Sequence, residues 1–367
     1  MSLPDQISAR AREIRTDGYG MSIGEVLSLY RDGDIDIHPE FQRIFRWEDG
    51  QKSKLVESIL LGIPIPPIFV SQRADGIWDV IDGVQRLSTI LEFVGEYKNE
   101  LDEIQPALVL EAGEYLTDLA GYTYTEPPST AVDALVFDEA LRRDFKRAKL
   151  DFRIITKESD PNAKYDLFQR LNSGSVLSPQ EARNCLMVML NRDLYGQVVE
   201  LSKSPNFTKC VLLSERQEEQ AYREELVLRF FCQADYTGGL TELPKEYGEY
   251  LTDWMKQLAE SRSGRALEET TMLNTFSLLA DALGEDCFRR FENGRHLGPF
   301  SIASYEFITS GLAENLAAWQ LEEPATLRQR IESIWAAPEF RENSGTGVSP
   351  RRRVPRLINA SRDYFRV

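Results

Sequence analysis

The sequence predicts an α+β protein: a mixed α/β N-terminal domain over residues 1–157, then a mostly α-helical domain over residues 158–367. Three observations predict it. Residues 68–94 pass from two short β-branched runs into a helical repeat. Leu150, Phe152 and Ile154 alternate with polar residues as a further strand. After Glu181 the apolar residues recur at spacings of three and four, one face of a helix, in nearly every stretch.

Composition bounds the function. The chain has 367 residues, 42% hydrophobic and 28% charged, which is ordinary for a globular chain with room for two cores. Its formal net charge is −16. So acidic a chain does not coat itself with nucleic acid, because that takes clustered Lys and Arg, although a local basic groove remains compatible. With only His38 and His296, a His-rich metal site is not expected. Cys185, Cys210, Cys232 and Cys287 lie far apart with no Cys-x-x-Cys, as buried reduced thiols do. No apolar run reaches the ~18 residues of a membrane span. The N-terminus is charged and has no apolar leader. The expected setting is cytoplasmic, with no membrane partner.

Residues 1–20 carry mixed charge and read as a short helix or loose arm. Residues 21–29 read as a helix capped by Ser22, and Ile35 and Ile37 as a short strand. The stretch 38–47, HPEFQRIFRW, is dense in rings and donors. Its Gln42 and Arg43 can face a ligand, or Arg43 can sit in an ion pair within an aromatic-anchored loop. Residues 48–62 are helical in pattern, with Leu55, Val56, Ile59 and Leu60 on one face. Pro64, Pro66 and Pro67 then force an extended segment. Ile68–Val70 and Ile77–Ile81 read as two strands joined at Asp75-Gly76.

Asp82-Gly83 turns the second strand into a helix with Leu87, Ile90, Leu91 and Val94 on one face. Such a turn brings free N–H groups and the positive end of a helix dipole to one point, a ready anion site. Arg86 adds a planar fork suited to phosphate, and Gln85 a neutral donor and acceptor. The competing reading makes Asp82 a helix cap, with Gln85 its capping-box partner.

Residues 99–139 are poorly patterned and read as an irregular insertion, a lid or a small substructure. The helix over 140–148 is basic, with Arg142, Arg143 and Arg147 as candidate nucleic-acid contacts. A helix over 162–171 ends in the small-residue loop 172–175. Ser178-Pro179-Gln180-Glu181 is a strong helix start. Further helices are expected over 179–202, 218–233, 244–262, 266–284, 301–318 and 325–336, with no repeating period. Near the end, Arg351, Arg352 and Arg353 either contact phosphates or offset the acidic body.

Several stretches together resemble one family. They are Phe41-Gln42-Arg43 with Trp47, residues 55–67 (LVESILLGIPIPP), Val80 to Leu87 (VIDGVQRL), Leu167 to Asn172 (LFQRLN) and Leu177 to Glu181 (LSPQE). In this order they look like the N-terminal domain of GmrSD-type, modification-dependent restriction proteins, which has a ParB/sulfiredoxin-like fold. The resemblance implies a module that binds, and often hydrolyses, a nucleoside triphosphate; at the turn Asp82 could hold an accompanying Mg²⁺ or orient a water. The resemblance also implies service in bacterial defence against phage or modified DNA. The family's Asp-Gly-Gln-Gln-Arg motif falls on Asp82, Gly83, Val84, Gln85 and Arg86. Asp82, Gln85 and Arg86 are then the catalytic candidates, and Gly83, Arg86, Gln42, Arg43 and Asn172 the nucleotide-binding ones. Val84 stands where the family has its first Gln, which puts turnover in question more than binding. Many relatives carry an HNH nuclease domain, whereas His296 is the sole histidine past residue 180 here. An HNH site is therefore not expected in this chain. DNA and a separate nuclease are the expected partners beside the nucleotide. A DNA-binding or nicking module and a non-catalytic scaffold stay open as alternatives, and so does the oligomeric state.

Overall fold

Residues 2, 16–37, 47–99, 103–125, 134–157, 159, 178–239, 242–260, 267–345 and 347–367 are described by the computed structural model of the chain. The chain forms two compact units, residues 1–177 and 178–367. The α+β class is as the sequence predicts, with a sheet-bearing first unit and a mostly helical second one.

The first unit is built in the order β1 (Thr16–Ser22), α1 (Ile23–Asp32), β2 (Ile35–Asp36), α2 (Asp49–Leu60), β3 (Ile68–Gln72), β4 (Trp78–Asp82) and α3 (Val84–Val94). The two-residue strands β5 (Tyr122–Thr123) and β6 (Leu135–Val136) follow, then α4 (Glu139–Arg147) and β7 (Lys149–Ile155). The main sheet runs β1-β7-β3-β4-β2. β1 is antiparallel to β7, β3 is parallel to β7 and antiparallel to β4, and β2 is parallel to β4. β3 and β4 are thus interior strands. Val70 and Val80, buried on them, meet Leu87, Ile90 and Leu91 of α3 in one core. The period-2 strands and the period-3.6 helix each supply an apolar face, and both faces bury only when α3 lies on the sheet.

The reading of residues 1–20 as a helix or loose arm needs correction at its end, because Thr16–Ser22 is a strand paired along its length with β7. Its residues are mostly exposed, so no apolar alternation marks it. Ser22 does cap α1 as expected, in a reciprocal box with Glu25.

The described part of the 99–139 stretch is anchored from below. Leu108, Leu110, Leu119, Tyr124 and Phe137 reach the core. Phe93 of α3 packs edge-on against Tyr124, Phe137 and Phe145 at 5.3–5.5 Å. The buried carboxylate of Glu57 accepts the backbone N–H groups of Tyr115 at 2.7 Å and Leu116 at 2.6 Å. The Leu116 N–H above all, opposed by burial and aided by the Tyr115 and Glu114 N–H groups, holds this carboxyl below its usual range.

The second unit begins with α5 (Pro179–Leu190), α6 (Arg192–Ser202), α7 (Pro205–Cys210), α8 (Glu215–Glu219), α9 (Tyr222–Ala234), α10 (Tyr247–Glu260) and α11 (Glu269–Ala282). A hairpin of β8 (Arg290–Glu292) and β9 (Arg295–Leu297) interrupts the helices. Then come α12 (Ile302–Glu314), α13 (Leu316–Trp319), α14 (Pro324–Ser333), α15 (Pro338–Arg341) and α16 (Pro350–Tyr364). The expected helix over 179–202 breaks at Asn191, whose extended backbone and side chain start α6 by accepting the Leu194 N–H. Between α9, α12 and α16 runs a buried ion network. Glu225 takes Arg183 and Arg229, and Glu306 takes Arg229 at 2.8 Å and Arg353 at 3.0 Å. All four cysteines are buried free thiols. Among the described residues no helix is long and apolar enough to cross a membrane.

Candidate functional site

The turn between β4 and α3 forms where the sequence places it. Asp82 ends β4, Gly83 takes φ 96°, and Val84 opens the helix. A left-handed residue is needed here because the chain reverses from strand to helix in one step. A Cβ on Gly83 would lie 2.4 Å from Ile68 Cδ1 and 3.3 Å from Arg86 Cζ, so a larger residue would displace the Ile68 side chain as well as strain the backbone.

The capping-box reading of Asp82 needs correction. Gly83 is the residue before the helix, and among the described residues no side chain caps it. The Asp82 carboxylate instead accepts from Arg86 Nη2 at 2.8 Å. Gln85 does not reach back to the cap; its Oε1 accepts the Trp47 backbone N–H at 3.3 Å. Among the described residues, the first N–H groups of α3 thus meet no capping side chain, at the positive end of an 11-residue helix.

Arg86 is more committed than a free phosphate fork. Its Nη1 donates to the carbonyls of Pro66 and, at 3.2 Å, Pro67, and its side chain is 12% exposed. Pro66 and Pro67 lack N–H groups of their own, and their carbonyls leave the sheet just before β3, so they take a donor from elsewhere. The guanidinium therefore ties the proline segment to the Asp82-Gly83 turn. Asp82 remains 33% exposed, and Gln85 lies half-buried beside it. Val84 is partly buried against the apolar core, so at this motif position the chain makes a packing contact rather than a polar one.

The sequence-predicted residues fall into three groups. Asp82, Gly83, Gln85 and Arg86 come together at the turn. Gln42, Arg43 and Asn172 lie outside the described residues. Among the basic candidates, Arg143 pairs with Glu139 on α4, where Arg147 is exposed and Arg142 half-buried. Arg351 donates to the Leu243 carbonyl at 2.5 Å, Arg352 pairs with Glu242, and Arg353 is held by the buried Glu306. Reading along the chain missed the Pro66 and Pro67 carbonyls and the Trp47 N–H as partners. The prolines carried a usable signal, acceptors without donors, but nothing local points from them to a residue twenty positions on. Among the described residues no three His, Cys, Asp or Glu groups converge as a metal site.

Residues 23–188 match the family described as the GmrSD restriction endonuclease, N-terminal domain. This segment is a GmrSD N-terminal domain. No curated protein and no solved structure matches the chain. The GmrSD N-terminal domain takes in β2 through β7, and so the whole β4–α3 turn with its partners. The chain thereby carries a module of a restriction system.

Proposed function

We propose that the GmrSD N-terminal domain of this chain binds the phosphates of a nucleoside triphosphate at the β4–α3 turn, in service of a restriction system acting on foreign or modified DNA. The observation that carries the reading is the uncapped start of α3 directly after a left-handed glycine at the end of an interior strand. Phosphate oxygens are the natural acceptors for such N–H groups. Asp82, one-third exposed, would be the carboxylate to hold a phosphate-borne Mg²⁺, which needs no more than one or two. In hydrolysis Gln85 would orient the water. Arg86 would hold the turn and contribute its charge from behind, because its donors already serve Pro66, Pro67 and Asp82. A separate protein would supply the nuclease.

Gln85→Glu is the variant that separates ligand from fold. Glutamate keeps an acceptor for the Trp47 N–H and is favourable at a helix start, so the fold survives. It also sets a carboxylate against incoming phosphates. Wild type is expected to gain melting temperature with one of ATP, GTP, CTP or UTP plus Mg²⁺, a stabilisation of about 2.7 kcal/mol at ~100 times Kd. The variant is expected to melt as wild type does without ligand and to gain nothing with it. An equal gain in both proteins removes the turn as the site.

The basic face of α4 supports a second reading, in which Arg142, Arg143 and Arg147 contact DNA phosphates; Phe145 is the only residue of this helix that is buried. A gel shift at two salt concentrations decides it, since binding through phosphates weakens steeply with salt.

A further inference from the structure

In the helical unit, beyond the matched family segment, a cleft of about 620 Å³ opens between the β8–β9 hairpin on one side and α14–α15 on the other. Its volume is that of a small-molecule site. Three rings line it, Phe291 from the hairpin, Trp335 from the segment after α14 and Phe340 from α15. Phe291 and Trp335 are each held by a neighbouring ring. Phe291 packs on His296 at 4.9 Å, and Trp335 meets the buried Phe340 edge-on at 5.1 Å. Rings fixed in this way give up little rotamer entropy when a flat ligand stacks on them.

The polar lining is as specific. Asn293 and Gln329 present amides from the two sides, and Arg290 and Arg341 present guanidinium groups. Asn293 sits at φ 49° beside Gly294, so the hairpin tip carries its amide on a tight two-residue turn. The carboxylates of the cleft already have partners. Glu292 meets Arg290 at 3.2 Å, and Glu332 meets Arg328 at 2.9 Å and His296 at 3.3 Å. Arg341 is exposed and makes no ion pair among the described residues. The His296–Glu332 contact also joins the hairpin to α14, and so fixes the spacing of the two walls.

Braced aromatic walls, edge-reading amides and an exposed guanidinium are what an unstacked base with its phosphate requires. We infer that this cleft binds an unpaired nucleobase bearing a phosphate, with the base on Phe291 and Trp335, its edge read by Asn293 or Gln329, and the phosphate met by Arg341. The ligand is distinct from the triphosphate proposed at the β4–α3 turn. In a chain this acidic the affinity comes from stacking rather than from a phosphate track. The salt dependence is therefore shallow, with a slope of about −0.7 for one single-strand phosphate contact.

The test is fluorescence anisotropy of a labelled oligothymidylate, alone and annealed to its complement, with thymidine monophosphate as competitor and the full chain as the protein. The single strand is expected to bind and the duplex not. Trp335→Ala is expected to weaken binding at least about tenfold, Trp335→Phe to restore most of it, and Arg341→Glu to weaken it and flatten the salt slope. Gln85→Glu is expected to leave it unchanged, which separates this cleft from the turn. Competition by the mononucleotide assigns the cleft to a free nucleotide, and its absence to a strand. No binding at low salt, equal binding of duplex, or a single-strand affinity that neither Arg341→Glu nor Trp335→Phe/Ala alters overturns the inference. Arg341 is exposed, so its variant reports on the cleft even where Trp335→Ala unfolds.

Discussion

Gly83→Ala is expected to lower the melting temperature of the first unit by about 10 °C and to abolish any triphosphate shift. Two costs add. Holding a non-glycine residue at φ 96° costs about 1–2 kcal/mol. The new methyl would also sit 2.4 Å from Cδ1 of the buried strand residue Ile68, whose side-chain tip would have to shift within the core, at an overpacking cost of about 1–3 kcal/mol. For a unit of this size each kcal/mol is worth about 2–4 °C. The clash extends to the Arg86 guanidinium, so relief by moving Arg86 would release Pro66, Pro67 and Asp82 together. Differential scanning calorimetry checks it. A variant within about 2 °C of wild type would mean that the turn does not hold the geometry described here.

The second large effect belongs to the helical unit. Glu306 is 0% exposed and accepts from Arg229 at 2.8 Å and from Arg353 at 3.0 and 3.2 Å. Burial works against the Arg229 charge; Glu225, followed by Tyr247 and Glu306, more than restores it and raises its pKa. Tyr247 adds its ring face, 4.6 Å from the guanidinium. Glu306→Gln keeps the shape and removes the charge, leaving two buried guanidinium groups short of one countercharge. Breaking such a pair costs about 3–5 kcal/mol, so the unit is expected to melt about 10 °C lower. The same network sets an acid limit. Burial pushes the Glu225 carboxyl up, but Arg229 and Arg183 more than offset it and leave its pKa below the ordinary range. Its stabilisation is thus present at neutral pH and is lost as the pH falls through and below about 4, where the unfolded carboxyl has already taken its proton. Urea midpoints of wild type and Glu306→Gln across pH 3–7 read both effects. A midpoint for the variant equal to wild type at pH 7 would sink the account of the network.

The elements of the first unit were legible where pattern is local. Val70, Val80 and Leu87 to Val94 declare strands and helix by period, and Asp75-Gly76 and Asp82-Gly83 declare the turns. β1 was not legible, because an edge strand with six of its seven residues polar, glycine or exposed carries no apolar alternation; its pairing with β7 is what makes it a strand. The capping-box reading of Asp82 and Gln85 failed for a related reason. Sequence spacing favours a capping box, but Arg86 is drawn to two carbonyls brought up by β3, and once there it takes Asp82 with it. The Arg351–Arg353 run looks on paper like a nucleic-acid patch. In the fold Arg353 faces Glu306 and Arg352 faces Glu242, partners 47 and 110 residues away. Phe291, Trp335 and Arg341 are scattered over fifty residues, and only the packing of the hairpin against the last helices makes them one cleft.

The central claim is that the uncapped start of α3 receives phosphates. The most direct measurement is amide hydrogen exchange of the full chain with and without the triphosphate that raises its melting temperature, read in the peptide that spans Ile81 to Leu87. The account predicts that the N–H groups of Val84, Gln85 and Arg86 slow on binding in wild type and do not in Gln85→Glu. Protection that appears elsewhere in the chain while this peptide exchanges unchanged would contradict it.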